Sequence, residues 1–255
     1  MIVFVAGMSR AGSMWTYNVV RAIFETKNFT VLPKLIPIND IDLIENSLIS
    51  EEKDNEVYCI KTHRALNSPL STAHNVKIIC NIRDVRDACL SFMRFKHADY
   101  EAGIRAMIDM MKLTDYYRTT FKRNLLMVRF EDLNRRPSKV LEDIIRYLEV
   151  DLSKIEKDQI LKEYDKSNIQ EKLRDMSNIK VDSKGQIISD KQKLKYDAIR
   201  NADGTYRIYD KTTAFQSNHI TSNSDGEWKT YFKKKQSDKL NNLSRKWLVK
   251  YGYKV

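Results

Sequence analysis

The chain is poor in residues that interrupt a fold or staple one. Its 255 residues include only 7 glycines, 4 prolines and 3 cysteines. That leaves little room for long flexible linkers. The cysteines, Cys59, Cys80 and Cys89, have no CxxC spacing, so they supply neither a metal framework nor a disulfide one. They read as small buried hydrophobes of a reducing compartment. No run approaches the ~20 apolar residues of a membrane helix. The apolar start, Ile2 to Ala6, is too short for a signal sequence and follows no basic segment. The expectation is a soluble, cytoplasmic protein without membrane insertion. Zinc spacing, basic heptads and aromatic–basic repeats are missing too, so no nucleic-acid partner is expected. No internal repeat is evident.

What the chain has is a core and an excess of positive charge. Hydrophobic residues make up 42%, and 45 Lys+Arg face 34 Asp+Glu for a net charge of +11. A basic excess suits an anionic small ligand, nucleic acid or an acidic surface, and does not choose among them. The length suits one large domain or two small ones.

The stretch richest in information is the first. Ile2 to Ala6 is an apolar, β-branched run that reads as a buried strand. A loop bounded by Gly7 and Gly12 follows. Val19, Val20, Ile23 and Phe24 then share one face of a helix. Strand, glycine loop and helix present backbone N–H groups and a positive dipole end to a phosphate. The Gly7-x-x-x-x-Gly12 spacing resembles the nucleotide P-loop, but Ser13 and Met14 stand where that motif needs Lys and Ser/Thr. Arg10 supplies a cation inside the loop instead. The stretch reads as an anion cradle that works without a metal. A strand–helix turn with no ligand is the alternative.

Further along, Thr30–Leu32, Val57–Ile60, Val76–Ile82 and Leu125–Val128 read as strands. Helices are expected at Asn39–Leu48, at the run carrying Ala88, Ser91 and Phe95, and from Ile104 to Phe121. Another opens at Pro137 with the stripe Leu141, Ile144, Ile145 and Leu148, and a last one spans Ser237–Lys250 with Leu240, Leu243 and Trp247 inward. Strands alternating with helices predict an α/β, three-layer, P-loop-like fold, with a central, mostly parallel sheet flanked by helices. In such sheets ligands sit beyond the C-terminal ends of the strands. The polar runs Gly7–Trp15, Lys61–Arg64 and Arg83–Ser91 fall at those ends, which suggests one shared site. From about 151 to 218 the sequence turns polar, with turns at Ser183–Ile188 and Asn201–Tyr206. It is too polar to own a core, so residues 1–255 are read as one domain with a variable acceptor or lid region.

Four of these motifs, in order, resemble the cytosolic-type sulfotransferases. Those enzymes move a sulfuryl group from 3′-phosphoadenosine 5′-phosphosulfate (PAPS) to an acceptor and release 3′-phosphoadenosine 5′-phosphate (PAP). Their first loop reads roughly Pro-Lys-Ser-Gly-Thr-Thr-Trp. Here Ser9-Arg10-Ala11-Gly12-Ser13-Met14-Trp15 matches it, with Arg10 for the lysine and Met14 for a threonine. The resemblance implies that Arg10, Ala11, Gly12, Ser13 and Met14 wrap the 5′-phosphosulfate and that Trp15 lies against the adenine. Lys61-Thr62-His63 resembles the family's Lys-(Thr/Ser)-His, which makes His63 the general base and Lys61 a charge stabiliser. Alone, His63 would read as a strand-end histidine with a structural hydrogen bond. Arg83 and Ser91, eight residues apart, are similar to the pair that holds the 3′-phosphate. Arg129-Phe130-Glu131-Asp132-Leu133 resembles Arg-Tyr-Glu-Asp-Leu, so Phe130 is expected near the adenine. Before Gly226 and Trp228 the family's Arg-Lys pair is missing. Ser222 and Asn223 stand there as weaker phosphate ligands, with His219 and Lys229 nearby.

The resemblance implies a PAPS-dependent sulfotransferase acting, without a metal, on a hydroxyl of a small molecule or carbohydrate. Two other readings stay open: a P-loop nucleotide kinase-like enzyme using magnesium and ATP, and a non-catalytic module binding an anionic nucleotide or nucleic acid. The acceptor and the oligomeric state are not legible.

Overall fold

The computed structural model describes residues 1–34, 55–201, 203–220 and 225–255. The helix expected at Asn39–Leu48 and the candidate ligands Ser222 and Asn223 lie outside the described residues. The central sheet has five strands: β1 (Ile2–Gly7), β2 (Thr30–Leu32), β3 (Glu56–Lys61), β4 (Val76–Ile82) and β5 (Leu125–Arg129). They lie in the order β2-β3-β1-β4-β5 and every pairing is parallel. All five C-terminal ends therefore share one edge. The register sets Val5 beside Lys61 and Gly7 beside Asn81.

Side chains along a strand point to alternate faces, and β1 sorts its residues accordingly. Val3 and Val5 join one core cluster, while Ile2, Phe4 and Ala6 join the other. Helix α1 (Ser13–Thr26) covers the first face and is buried along nearly its whole length. Helices α2 (Val85–Lys96) and α3 (Tyr100–Thr120) cover the second. Between β5 and the polar region come α4 (Phe130–Arg135) and α5 (Pro137–Leu148). Helix α5 opens on proline and buries Val140, Leu141, Ile144, Ile145 and Leu148 against the α1 side. Each such side chain contributes about 1.5–3 kcal/mol.

The polar region is ordered. It holds α6 (Lys154–Glu163), α7 (Lys166–Ser177), the short α8 (Asp190–Lys193) and an antiparallel hairpin of β6 (Tyr196–Arg200) and β7 (Tyr206–Asp210). Helix α6 begins with a capping box on Ser153 and Glu156. The region lends Ile160, Ile169, Leu173, Met176, Ile208 and Phe215 to the core already on the α1 face. The chain ends with α9 (Trp228–Tyr231) and α10 (Lys234–Lys250) on the other face. One expectation for α10 fails. Leu243 is exposed, and Ser244 and Leu248 take the buried positions beside Leu240 and Trp247. Ser244 satisfies its hydroxyl by donating to Leu240 O at 2.6 Å, which allows a polar residue on the buried stripe.

Gly7 ends β1 at φ 101°, where a Cβ would meet Asn81 O at 2.6 Å. Backbone strain and steric overlap then act together. Gly7→Ala is expected to destabilise the fold by about 2–4 kcal/mol, read as a lower urea midpoint.

Candidate active site

The loop after β1 wraps back over the sheet edge. Gly12 caps α1 at φ 82°, and a Cβ there would fall 2.5 Å from Leu133 Cδ1. The left-handed φ favours glycine there. The first amides of α1 have no intrahelical acceptor and carry its positive dipole end. Ser9, Arg10, Gly12, Ser13, Met14 and Trp15 line a cavity of about 1150 Å³ above the strand ends. Ala11 does not: its side chain is packed in the core of the second face, so only its backbone is left to face a ligand. Trp15 Nε1 donates to Tyr164 O at 3.0 Å, which ties the first turn of α1 to the end of α6.

Arg10 adopts φ 65°, the left-handed region. Its Nε donates to Ser91 Oγ at 3.0 Å and its Nη2 to His219 O at 2.5 Å. Arg83 Nη1 in turn donates to Arg10 O at 3.2 Å. Arg10 thus sits between the two residues eight apart in sequence. Burial, and then the charge of Arg83, push Arg10 down to about 9, still charged at neutral pH.

Strand β3 ends in the second motif. His63 Nδ1 lies 2.9 Å from Gly7 O, and Nε2 lies 2.8 Å from Lys61 Nζ. A carbonyl only accepts, so Nδ1 carries the proton and Nε2 offers its lone pair. Lys61 donates to that lone pair. Protein surrounds both groups, and burial followed by the charge of Lys61 lowers His63 to about 3. Burial and then Arg10 lower Lys61 to about 8. The arrangement is a neutral imidazole with a defined basic nitrogen.

Arg83, at the end of β4, is 3% exposed, and its guanidinium lies 4.0 Å from the Phe130 ring centroid. Burial lowers it, while the charges of Asp87, Glu131, Asp225 and Asp84 act the other way. Asp87, one turn into α2, accepts from Gly226 N at 2.7 Å and Trp228 N at 3.2 Å. One carboxylate therefore anchors the C-terminal segment to the helix that carries Ser91. Phe130 and Ser91 line the cavity with Arg83.

The structure thus brings Arg10, Gly12, Ser13, Met14, Trp15, Lys61, His63, Arg83, Ser91 and Phe130 to one cavity. Of the two nearby candidates, His219 lines it and Lys229 does not. His219 Nδ1 accepts from Gln216 N at 3.2 Å, and its ring lies 5.6 Å from that of Phe95. Phe95, Tyr164, Tyr209 and Arg207 also line the cavity. Motif spacing gave no signal for them, because they come from helix ends and from the polar region. The donor set suits an anionic ligand. Arg10, Lys61 and Arg83 are cations held in surroundings that disfavour their charge, and a bound polyanion relieves that cost.

The His63 geometry has a spectroscopic consequence. Its ¹⁵N NMR signals are expected to show the Nδ1-protonated neutral ring from pH 7 down to 5. A ring titrating near 6.5 would contradict the burial and the Gly7 hydrogen bond.

Among solved structures, a mouse sulfotransferase complexed with PAP superposes with a TM-score of 0.62 at 17% identity, covering 97% of this chain and 83% of that one. A retinol dehydratase in complex with androsterone and inactive cofactor PAP gives 0.58 at 17% identity, covering 97% and 80%. At that identity these likenesses show a shared fold. A comparison with curated protein sequences finds no match. The family model described as the sulfotransferase domain matches residues 2–252, nearly the whole chain, and the chain therefore belongs to the sulfotransferase family.

Proposed function

We propose that the protein transfers a sulfuryl group from PAPS to the hydroxyl of a small-molecule or carbohydrate acceptor and releases PAP. The observation that carries this reading is His63. Its Nδ1 is held on Gly7 O and its Nε2 lone pair points to Lys61, within a cavity that also holds Arg10 and Arg83. PAP in the two structural relatives supports the same donor.

In this reading His63 Nε2 takes the acceptor's hydroxyl proton as the oxygen attacks sulfur. The new O–S bond forms as the bond from sulfur to the 5′-phosphate breaks, and the electron pair leaves with PAP. Lys61 must first give up its hydrogen bond to Nε2. A phosphate at the loop supplies the competing acceptor for that ammonium. Lys61, Arg10 and the first amides of α1 then stabilise the charge that develops on the leaving phosphate. Arg83 and Ser91 hold the 3′-phosphate, and Phe130 and Trp15 flank the base. Residues 1–255 act as one domain, with 151–218 forming the acceptor wall. The kinase-like alternative lacks its P-loop lysine, since Ser13 follows Gly12. A purely binding module leaves the oriented imidazole without a role.

Two substitutions separate the roles. His63→Ala is expected to lower transfer of labelled sulfuryl by about 10²–10⁴-fold while calorimetry finds PAP affinity nearly unchanged. Full activity in that variant would remove His63 as the base. Arg83→Ala is expected to weaken PAP binding about 10–100-fold, the worth of a charge-assisted hydrogen bond. Unchanged affinity would exclude the 3′-phosphate role.

A further inference from the structure

Beyond His63, the cavity wall is built on Phe95 in the last turn of α2. The Arg10 guanidinium lies 4.3 Å from the Phe95 ring centroid, Lys96 Nζ 5.5 Å and the Arg207 guanidinium 5.7 Å. Three cations share one ring, each within cation–π range. Among the described residues, Arg207 is held in place by side-chain amides: Nε donates to Gln216 Oε1 at 2.7 Å and Nη1 donates to Asn201 Oδ1. Neighbouring side chains at the end of α2 behave differently. Arg94 meets Glu227 at 2.7 Å, His97 meets Asp203 at 3.5 Å, and none of these four lines the cavity. Lys96 and Arg207 do line it, and among the described residues neither has a carboxylate at ion-pair distance. Among the described residues that line the cavity, eight are lysine or arginine and one, Asp165, is a carboxylate. That carboxylate is engaged in capping α7, accepting from Ser167 N at 3.0 Å.

Gathering like charges is unfavourable unless an anion fills the space between them. The donor's phosphates account for Arg10, Lys61 and Arg83. Of the five cations that remain among the described lining residues, Lys96 and Arg207 share the Phe95 ring. Lys96, exposed at the end of α2, lines the same cavity as His63. A negative group at this pair would share the cavity with His63 and the reacting hydroxyl.

We infer that the acceptor is an acidic hydroxyl compound, whose negative group Lys96 and Arg207 hold beside Phe95 while its hydroxyl faces His63. This inference rests on the sulfotransferase reading of the same cavity. It is tested by binding rather than turnover, with the enzyme saturated in PAP so that the donor phosphate sites are filled. Two scaffolds are compared: hydroxyphenylacetate against hydroxyphenylacetamide, and methyl glucuronide against methyl glucoside. On at least one scaffold the carboxylate is expected to bind about tenfold more tightly than its neutral partner. Lys96→Met and Arg207→Gln should each reduce that preference several-fold, and Lys96→Glu should turn it toward the amine tyramine. Thermal unfolding checks each variant. Lys96 is exposed at the helix end, so its substitutions serve if Arg207→Gln fails to fold. Equal binding of charged and neutral partners on both scaffolds, or a preference that survives the Lys96 substitutions, overturns the inference. Failure of PAP itself to bind overturns the donor reading instead. The same comparison on the free enzyme, with the Lys96 variants as control, then still decides the acceptor charge.

Discussion

Strand β1 hydrogen-bonds to β3 on one side and to β4 on the other, all three parallel, and the site depends on that pairing. Parallel strands finish at one edge, so Gly7, Lys61 and Arg83 come together although they are far apart in sequence. The pairing also requires Gly7 to pass close to Asn81, where no side chain fits. Because Gly7 turns out of the strand at that point, its carbonyl is available to His63 Nδ1. The hydrogen bond that orients the imidazole is thus a consequence of how the central strand ends.

Electrostatic tension is the second constraint. Arg10, Lys61 and Arg83 lie in surroundings that lower their proton affinity. Among their hydrogen bonds are ones to Ser91 Oγ, the His219 carbonyl, the Arg10 carbonyl and the His63 ring. Such contacts are weaker than charge-assisted pairs with a phosphate. In the proposed reaction a phosphate takes over the Lys61 ammonium and frees the Nε2 lone pair of His63.

Much of the site was legible before any coordinates. The strands were readable because buried parallel strands are near-continuous apolar runs. The loop, the Lys61–His63 pair and the Arg83–Ser91 pair were readable because each falls at the end of such a run. The role of Arg10 was harder to read. Its loop position showed a cation but not its partners, which come from α2 and from the segment carrying His219. Leu243 misled because a helical stripe tolerates a shift of one position. Leu240 and Trp247 are inside in either phase, and only packing places Ser244 and Leu248 inward and Leu243 outward.

By itself the sequence determined the alternation of elements, the family, and which residues stand at the strand ends. Those features depend on local pattern, on apolar periodicity and short motifs that survive in one dimension. Tertiary structure alone decided what faces the cavity from elsewhere. It turned the polar region 151–218 into a wall by burying its few apolar side chains against α1. It set Phe95, Lys96, Arg207 and His219 around a single opening. It also turned Ala11 into the core while its neighbours face the ligand space. Side-chain direction in loops and long-range juxtaposition have no period, so they appear only once the chain has packed.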